Sequence, residues 1–507
     1  MAESVLDLVQ QLKSEIKPGA EVVVTIQPEC MVFEVPTLLR GKYPDHFPTL
    51  KGLELGLHHR SLKKTETEVF KFEIACILHF KLATSRNSSW ESFAQLVVKD
   101  VNIARRAYSA TSSSTSSSGP CMFTDNEVQN LLTLDALFLV VFFMYINGKS
   151  FILEVFTALE ARLEHMVNAI DYGDFLLVEN QVPMYLLQSV IRQLCKIDED
   201  IGLNVDPTFD VESKVTEELD LILTIAILHL YPFKYPDDTR NVSSHGCWLP
   251  RRFSRCSSRQ VPQTSRNRLQ AHLFATYPLD PLENSLINCR HLLDCLYTVI
   301  CGHLLPLKLE PNIQTHAPLE SIPSTTRLQA IGIRATASPV PTLSDIKLNR
   351  PTRGFPTSST IMLQLPKVVL YDYTESAFHN LALHEQLVFG GRCGDMRCYL
   401  QCMASLSINE ADLQILTEEG VINDHTGTQS LQGMWARTLK GVYTANPSTS
   451  WIEYYQEIHR RRKSCSRRHD CGTLFFANPW ILMCVLAATL LLFLSATQTW
   501  FVAFPRH

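Results

Sequence analysis

The sequence predicts a mainly α protein: a large helical body with minor short β-strands, plus one C-terminal transmembrane helix. Three observations predict it. Apolar residues recur at helical spacing over most of residues 124–230 and 377–420, only short β-branched runs interrupt that pattern, and an uncharged apolar run lies near the end of the chain. With 507 residues, 46% of them hydrophobic and 19% charged, the chain is long enough for one large core or two to three domains. A net charge of −5 offers no basic field to neutralise phosphates, so nucleic acid is not an expected partner. The 15 cysteines are odd in number and scattered, as in a protein whose thiols stay reduced in the cytosol.

Residues 1–30 form a lead-in. "MAESVLDLVQQLKSEIK" shows no basic n-region followed by an apolar h-region, hence no secretory signal, and Val5, Leu8, Val9, Leu12 and Ile16 lie on one face of an amphipathic helix. Its polar face is not strongly basic, which favours packing on the body over lying on a membrane. The body is assigned to residues 31–475. "EVVVTI" and "CMVFEVP" open it as short strand-like runs, and helical periodicity takes over from Lys64 to Leu82. A low-complexity loop at 109–120 follows, then a helical block over 124–230. Within that block Leu137–Ile146 and Leu221–Leu230 are too short to cross a bilayer and follow Asp135 and Asp220, so both read as buried core helices.

Residues 239–279 carry arginines and no acid and read as a basic insertion; "NSLINCRHLLDCLYTVICGHLL" resumes as helix. Residues 311–360 are a Pro/Ser/Thr-rich connection, briefly broken near "RLQAIGIRA". "IMLQLPKVVLYDYTES" reads as one or two short strands, and three helices follow. In the last, Asn409 is placed to cap with Asp412 reaching back, and Gly420 suits a left-handed stop.

Residues 480–504 are assigned to a transmembrane helix. Ile481–Phe504 carries no charge and at 1.5 Å per residue spans roughly 36 Å, with Trp480 and Trp500 near its two ends. Arg460, Arg461, Arg462, Lys463, Arg467 and Arg468 lie upstream against Arg506 beyond. The positive-inside rule then keeps the N-terminal body in the cytosol as a single-pass, tail-anchored protein; plasma membrane and endomembrane are equally compatible. The basic run has two readings, a topology determinant or a site for anionic lipid headgroups. The sequons at Asn87 and Asn241 would be glycosylated only if the body were lumenal.

No nucleotide or hydrolase signature is present, and no cofactor is predicted. "HEQLV" at His384 lacks a second histidine at i+4 for zinc, and Cys289, Cys295 and Cys301, spaced by six without a CxxC pair, read as buried free thiols. "GGRCGD" reads as a flexible connection, and His58 and His59 as hydrogen-bonding groups in preference to metal ligands. The most informative stretch is "FLLVENQVPMYLL", Phe175–Leu187. Pro183 forces a helix here to kink or restart, and Asn180 and Gln181 carry amides suited to the backbone groups this frees. The other reading makes Asp171, Asp174 and Glu179 an acid/base site; no nucleophile or metal partner accompanies them.

"MVFEVPTLLR", "GLELGLHHRSLKKTETEVFK", "DYGDFLLVENQVPMYLL", "LPKVVLYDYTESAFHNLALHEQ", "LQILTEEGVI" and "FFANPWILMCVLAATLLLFLSATQTWF" resemble, in this order, the landmarks of the plant domain-of-unknown-function 247 family. The resemblance is collinear from about residue 31 to 504. It implies a plant protein with a largely helical body and one C-terminal membrane helix, and it carries over no catalytic residue. Some grass members of the family are regarded as pollen-side determinants of self-incompatibility, which implies recognition. Leu57 departs from the family pattern, in which an aromatic precedes the histidine pair. The expectation is a membrane-anchored, non-enzymatic recognition or signalling protein with an unidentified protein partner. The alternatives are an enzyme built on Asp171, Asp174 and Glu179, and a lipid-surface adaptor using the basic run.

Overall fold

The computed structural model describes residues 31–35, 40, 50–58, 65–86, 88–108, 123–147, 156–201, 211–233, 289–301, 322–338, 342–343, 346–349, 361–389, 394–424, 433–442, 451–463 and 479–503. The lead-in 1–30, the loop 109–120 and the basic insertion 239–279 lie outside these residues.

Among the described residues the first half contains seven α-helices of six residues or more: α1 Glu66–Arg86, α2 Trp90–Val97, α3 Val101–Arg106, α4 Asp125–Asn147, α5 Glu160–Ala169, α6 Met184–Ile201 and α7 Val211–Leu230. Their starts follow local chemistry. Ser89 accepts the Ser92 N–H ahead of α2, and Asp100 accepts those of Asn102 and Ile103 ahead of α3, so first-turn donors that lack an intrahelical partner are satisfied. Helix α4 is central and packs against α1, α2, α6 and α7. Among residues whose side chains are described, Asp125–Ile146 is the one helix long and apolar enough to cross a membrane, and 78% of its most apolar 18-residue stretch is buried inside the protein. That burial makes it a core helix. Phe138, Phe142 and Phe143 are completely or almost completely buried, each contributing on the order of 1.5–3 kcal/mol, and the last two meet Phe175 at ring-centroid distances of 5.4 Å. The apolar end of α7, from Leu221 to Leu230, is core as well.

The second half contains α8 Leu292–Cys301, α9 Thr325–Ala330, the strands β1 Ile333–Ala337, β2 Lys347–Asn349, β3 Ile361–Leu365 and β4 Val368–Leu370, then α10 Thr374–Phe389, α11 Asp395–Leu406, α12 Glu410–Glu418, strand β5 Ile422–Asp424 and α13 Met434–Thr438. A helix over 451–463, α14, and α15 Pro479–Ala503 complete the described elements. β3 is the middle strand of a mixed sheet, parallel to β1 with Ile333 opposite Ile361 and antiparallel to β2 with Leu348 opposite Leu363. Pro366 cannot donate a ladder hydrogen bond, and after it the run switches partner, β4 pairing in parallel with β5. Helix α10 packs on α8, α11, α13 and the turn Tyr172–Leu176, and a single apolar cluster runs from Val32 to Ile458, joining the two halves.

Two expectations change. "CMVFEVP" supplies no strand among its described residues: Val32, Phe33 and Val35 are buried, but the N–H groups of Met31 and Val32 both reach one acceptor, the Ala107 carbonyl, which no ladder does. The connection 311–360 is also more than a connection. It holds α9, β1 and β2, because Ile333 and Ala335 alternate inward even though proline, serine and threonine surround them. The helix over 410–418 follows expectation: Asn409 and Asp412 form a reciprocal capping box, and Gly420 stands at φ +71 just past its end.

Candidate functional site

The stretch Asp171–Pro183 restarts the chain rather than kinking a helix. Tyr172–Leu176 forms one 3-10 turn, capped by Asp171, whose carboxylate accepts the Gly173 N–H at 2.7 Å. Irregular backbone follows until α6 begins at Met184, so Pro183 stands just ahead of a helix, where its missing N–H is harmless.

The polar side chains of this stretch do more than repair it. Residues 51–55 pass beside it without belonging to any helix or strand, so on burial their main-chain groups need other partners. Asp174 accepts the N–H groups of Lys51 at 3.0 Å, Gly52 at 3.0 Å and Leu53 at 2.9 Å. Asn180 accepts the Leu55 N–H at 2.6 Å and donates at 2.8 Å to the carbonyls of both Leu53 and Asp174. Its side chain does for residues 53–55 what a neighbouring strand would do. Gln181 donates to the carbonyls of Phe175 at 2.7 Å and Leu177 at 2.8 Å, and accepts the Leu293 N–H of α8 at 3.2 Å. Glu179 accepts the Val35 N–H and pairs with the Arg40 guanidinium.

Gly56 ends the clamped segment at φ +69, and a Cβ there would lie 2.7 Å from the Gln181 carbonyl oxygen and from the Tyr108 ring. Only glycine fits. Its N–H donates to Asp135 at 2.8 Å, and Asp135, fully buried within the apolar run of α4, is ion-paired to the equally buried Lys71 at 2.8 Å.

The three carboxylates weighed as an acid/base site therefore have separate duties. Asp171 caps a turn and holds Lys51 Nζ at 2.7 Å, Asp174 gathers three backbone N–H groups, and Glu179 holds residues 35 and 40. Burial pushes the Asp174 carboxyl above its usual range, against the pull of the N–H groups of Leu53, Lys51 and Gly52. His58 meets Tyr108 edge-on at 5.4 Å, and His59 lies outside the described residues. Among the described residues no group of three or more His, Cys, Asp or Glu is arranged to hold a metal ion.

A second buried polar centre joins α8, α10 and α11, and the sequence alone did not single it out. His384 Nε2 donates to Asp294 at 2.9 Å, while the other oxygen of Asp294 accepts the Arg290 N–H at 2.9 Å. Glu385 accepts from Tyr297 Oη at 2.6 Å, from the Met396 N–H at 2.9 Å and from the Arg397 side chain at 2.9 Å. Glu385 and Arg397 are both fully buried. Burial alone would raise the Asp294 carboxyl, but His384, His291 and Arg290 outweigh it and hold it well below the usual carboxylate range. His291 is pushed down to about 3 by burial and by its neighbour His384. An aspartate–histidine pair is half of a nucleophile-activating triad, which needs a hydroxyl or thiol at the other ring nitrogen. Among the described residues nothing hydrogen-bonds His384 Nδ1, and the rings of Phe33, His291 and Tyr297 surround it at 6.1, 5.1 and 6.0 Å. His384 and Asp294 are both buried.

Cys289, Cys295 and Cys301 are buried and in no disulfide, the thiols of the last two pushed well up by burial. Arg460, Arg462 and Lys463 are exposed on α14, Arg460 paired with Glu457, whereas Arg467, Arg468 and the sequons at Asn87 and Asn241 lie outside the described residues. The signal that could have found Lys71, Asp135, Asp294 and Glu385 is an ionisable residue inside an apolar helical run, as in "VFKFEI" and "LTLDALFLVV": a charge there needs a buried partner.

No curated protein and no solved structure matches the chain. The family model for plant protein of unknown function, DUF247, matches residues 32–494 and so takes in the clamp, the second polar centre and most of the last helix. The chain belongs to the DUF247 family of plant proteins of unknown function.

Proposed function

We propose that this protein is a membrane-anchored, non-enzymatic recognition or signalling protein, its helical body offering a surface to a protein partner. The observation that carries the proposal is α15, 25 residues from Pro479 to Ala503 without a charged side chain, on which Leu490, Leu491, Leu492, Phe493 and Leu494 are more than half exposed. Such a face is costly in water and favourable in lipid. The exposed Arg460, Arg462 and Lys463 upstream suit a cytosolic membrane face with anionic headgroups. Commitment of Asp171, Asp174, Glu179 and Asn180 to main-chain groups and ion pairs supports a scaffold over an enzyme. The pollen self-incompatibility role regarded as held by some grass members is one specific form of this reading.

The test is membrane extraction of the full chain. Resistance to alkaline carbonate, release by detergent, and release without detergent after deletion of 479–503 are expected; carbonate release of the intact chain would remove the anchor. The enzyme alternative is separated by Asp171→Asn with Glu179→Gln. A variant that folds but loses turnover in an untargeted metabolite assay would overturn the scaffold reading.

A further inference from the structure

Helix α1 buries Phe70, Ile74 and Leu78 in the core, yet its opposite face is also apolar. Val69, Phe72 and Phe80 are 42%, 53% and 68% exposed, Cys76 is an exposed free thiol, and Ala83 is exposed as well. Residues 69, 72, 76, 80 and 83 follow one another at intervals of 3, 4, 4 and 3, which keeps them on one stripe of an α-helix. The intervals read the same from either end, with Cys76 at the centre. An isologous interface needs this property, since each residue meets its counterpart twice across a two-fold axis.

We propose that α1 pairs antiparallel with α1 of a second copy of this chain, about a two-fold axis at Cys76. Phe72 then faces the second copy's Phe80, Val69 faces Ala83, and the small Cys76 side chains leave room for the aromatic pairs at either side. The helix charges agree. Glu66 and Glu73, with partly exposed side chains, lie in its first half and Lys81 in its second, so an antiparallel pair opposes unlike charge and a parallel pair would stack like on like. Glu66 and Glu73 also bond Arg162 of α5 within the chain, yet their side chains stay 53% and 38% exposed. An anionic lipid surface would face that acidic half, which argues against lipid as the occupant. One helix pair lies below the roughly 1,200 Å² of a standard interface, so the dimer is a weak one. The inference does not depend on the membrane anchor.

The full chain, in detergent and in nanodiscs, is treated with a short bismaleimide, and its linked peptides are read by mass spectrometry alongside light scattering. The expected result is a Cys76–Cys76 link and a dimer mass at tens of micromolar. Phe72→Glu with Phe80→Glu should weaken self-association at least tenfold at unchanged melting temperature, while Ile408→Glu, at an exposed apolar site elsewhere, leaves it intact. In a Cys76→Ser background, Phe72→Cys chains mixed with Phe80→Cys chains should link, and Phe72→Cys chains alone should not. This pair keeps the test valid even if the glutamate variant fails to fold. Monomer at every concentration, a link from Cys76 to a cysteine elsewhere, or Cys76 that reacts only after residues 1–30 are deleted would overturn the proposal. The last outcome would mean that the chain covers its own stripe.

Discussion

The clamp at residues 51–56 and the centre around Glu385 bury polar groups in two different ways. In the clamp, Asp174, Asn180 and Gln181 bind main-chain N–H and C=O groups. In the centre, side chains bind largely each other, His384 to Asp294 and Arg397 to Glu385, with a few main-chain N–H groups completing the carboxylates. The difference decides what each can tolerate. An ion pair can be exchanged for apolar side chains as a unit, whereas a backbone group stays when its partner is cut away.

The largest effect should come from breaking a fully buried pair. Arg397→Leu leaves the buried Glu385 without its guanidinium and should cost about 3–5 kcal/mol, read from denaturant unfolding curves. Glu385→Leu with Arg397→Leu should recover part of that loss and not all, because the Met396 and Arg397 N–H groups lose their acceptor. A double variant no better than the single would contradict the exchange-as-a-unit argument. Next comes Asn180→Ala, which orphans the Leu55 N–H and the Leu53 carbonyl and should cost about 2–4 kcal/mol, read the same way. A loss under about 1 kcal/mol would show that water replaces the amide.

Acid should then separate the two regions further. His291 has its folded pKa depressed to about 3, so it stays neutral in the folded chain while the unfolded chain takes up a proton below pH 6.5. Its contribution is complete above pH 6.5 and is lost as the pH falls toward 3, amounting to about 2 kcal/mol by pH 5. Unfolding curves between pH 7 and 5 should show this slope, and His291→Phe should flatten it. Smallest is Lys51→Ala. Its side chain is 64% exposed where it pairs with Asp171, so the change should stay within about 0.5 kcal/mol, which a thermal melt can check.

Much of the fold is legible in sequence. The 3.6-residue period marks α1, α4, α6, α7 and α10–α12, the Asn409–Asp412 box and Gly420 mark the limits of one helix, and the run from Ile361 reads as one or two strands, which the structure resolves into two at Pro366. Sheet pairing was not legible, because β1 and β2 are brief and sit among residues that usually signal loops. The polar stretch at 171–183 stands out in the sequence, but its partners at 51–55 lie more than 120 residues away in the chain, and no local pattern encodes that meeting. Asp294 and His384 are 90 residues apart for the same reason of long-range closure.

The clamp also sets an order of events during synthesis. Asp174 follows its Leu53 partner by 121 residues, and at about 5–20 residues per second the ribosome needs roughly 6–24 s to bridge that gap. Gln181 then waits for Leu293, 112 residues later, and Asp294 for His384, another 90. The segment 50–58 thus leaves the exit tunnel early and acquires its last indirect support only when most of the body has been translated. During this interval chaperones attending translation should contact these residues longer than any helix whose hydrogen bonds close within four positions.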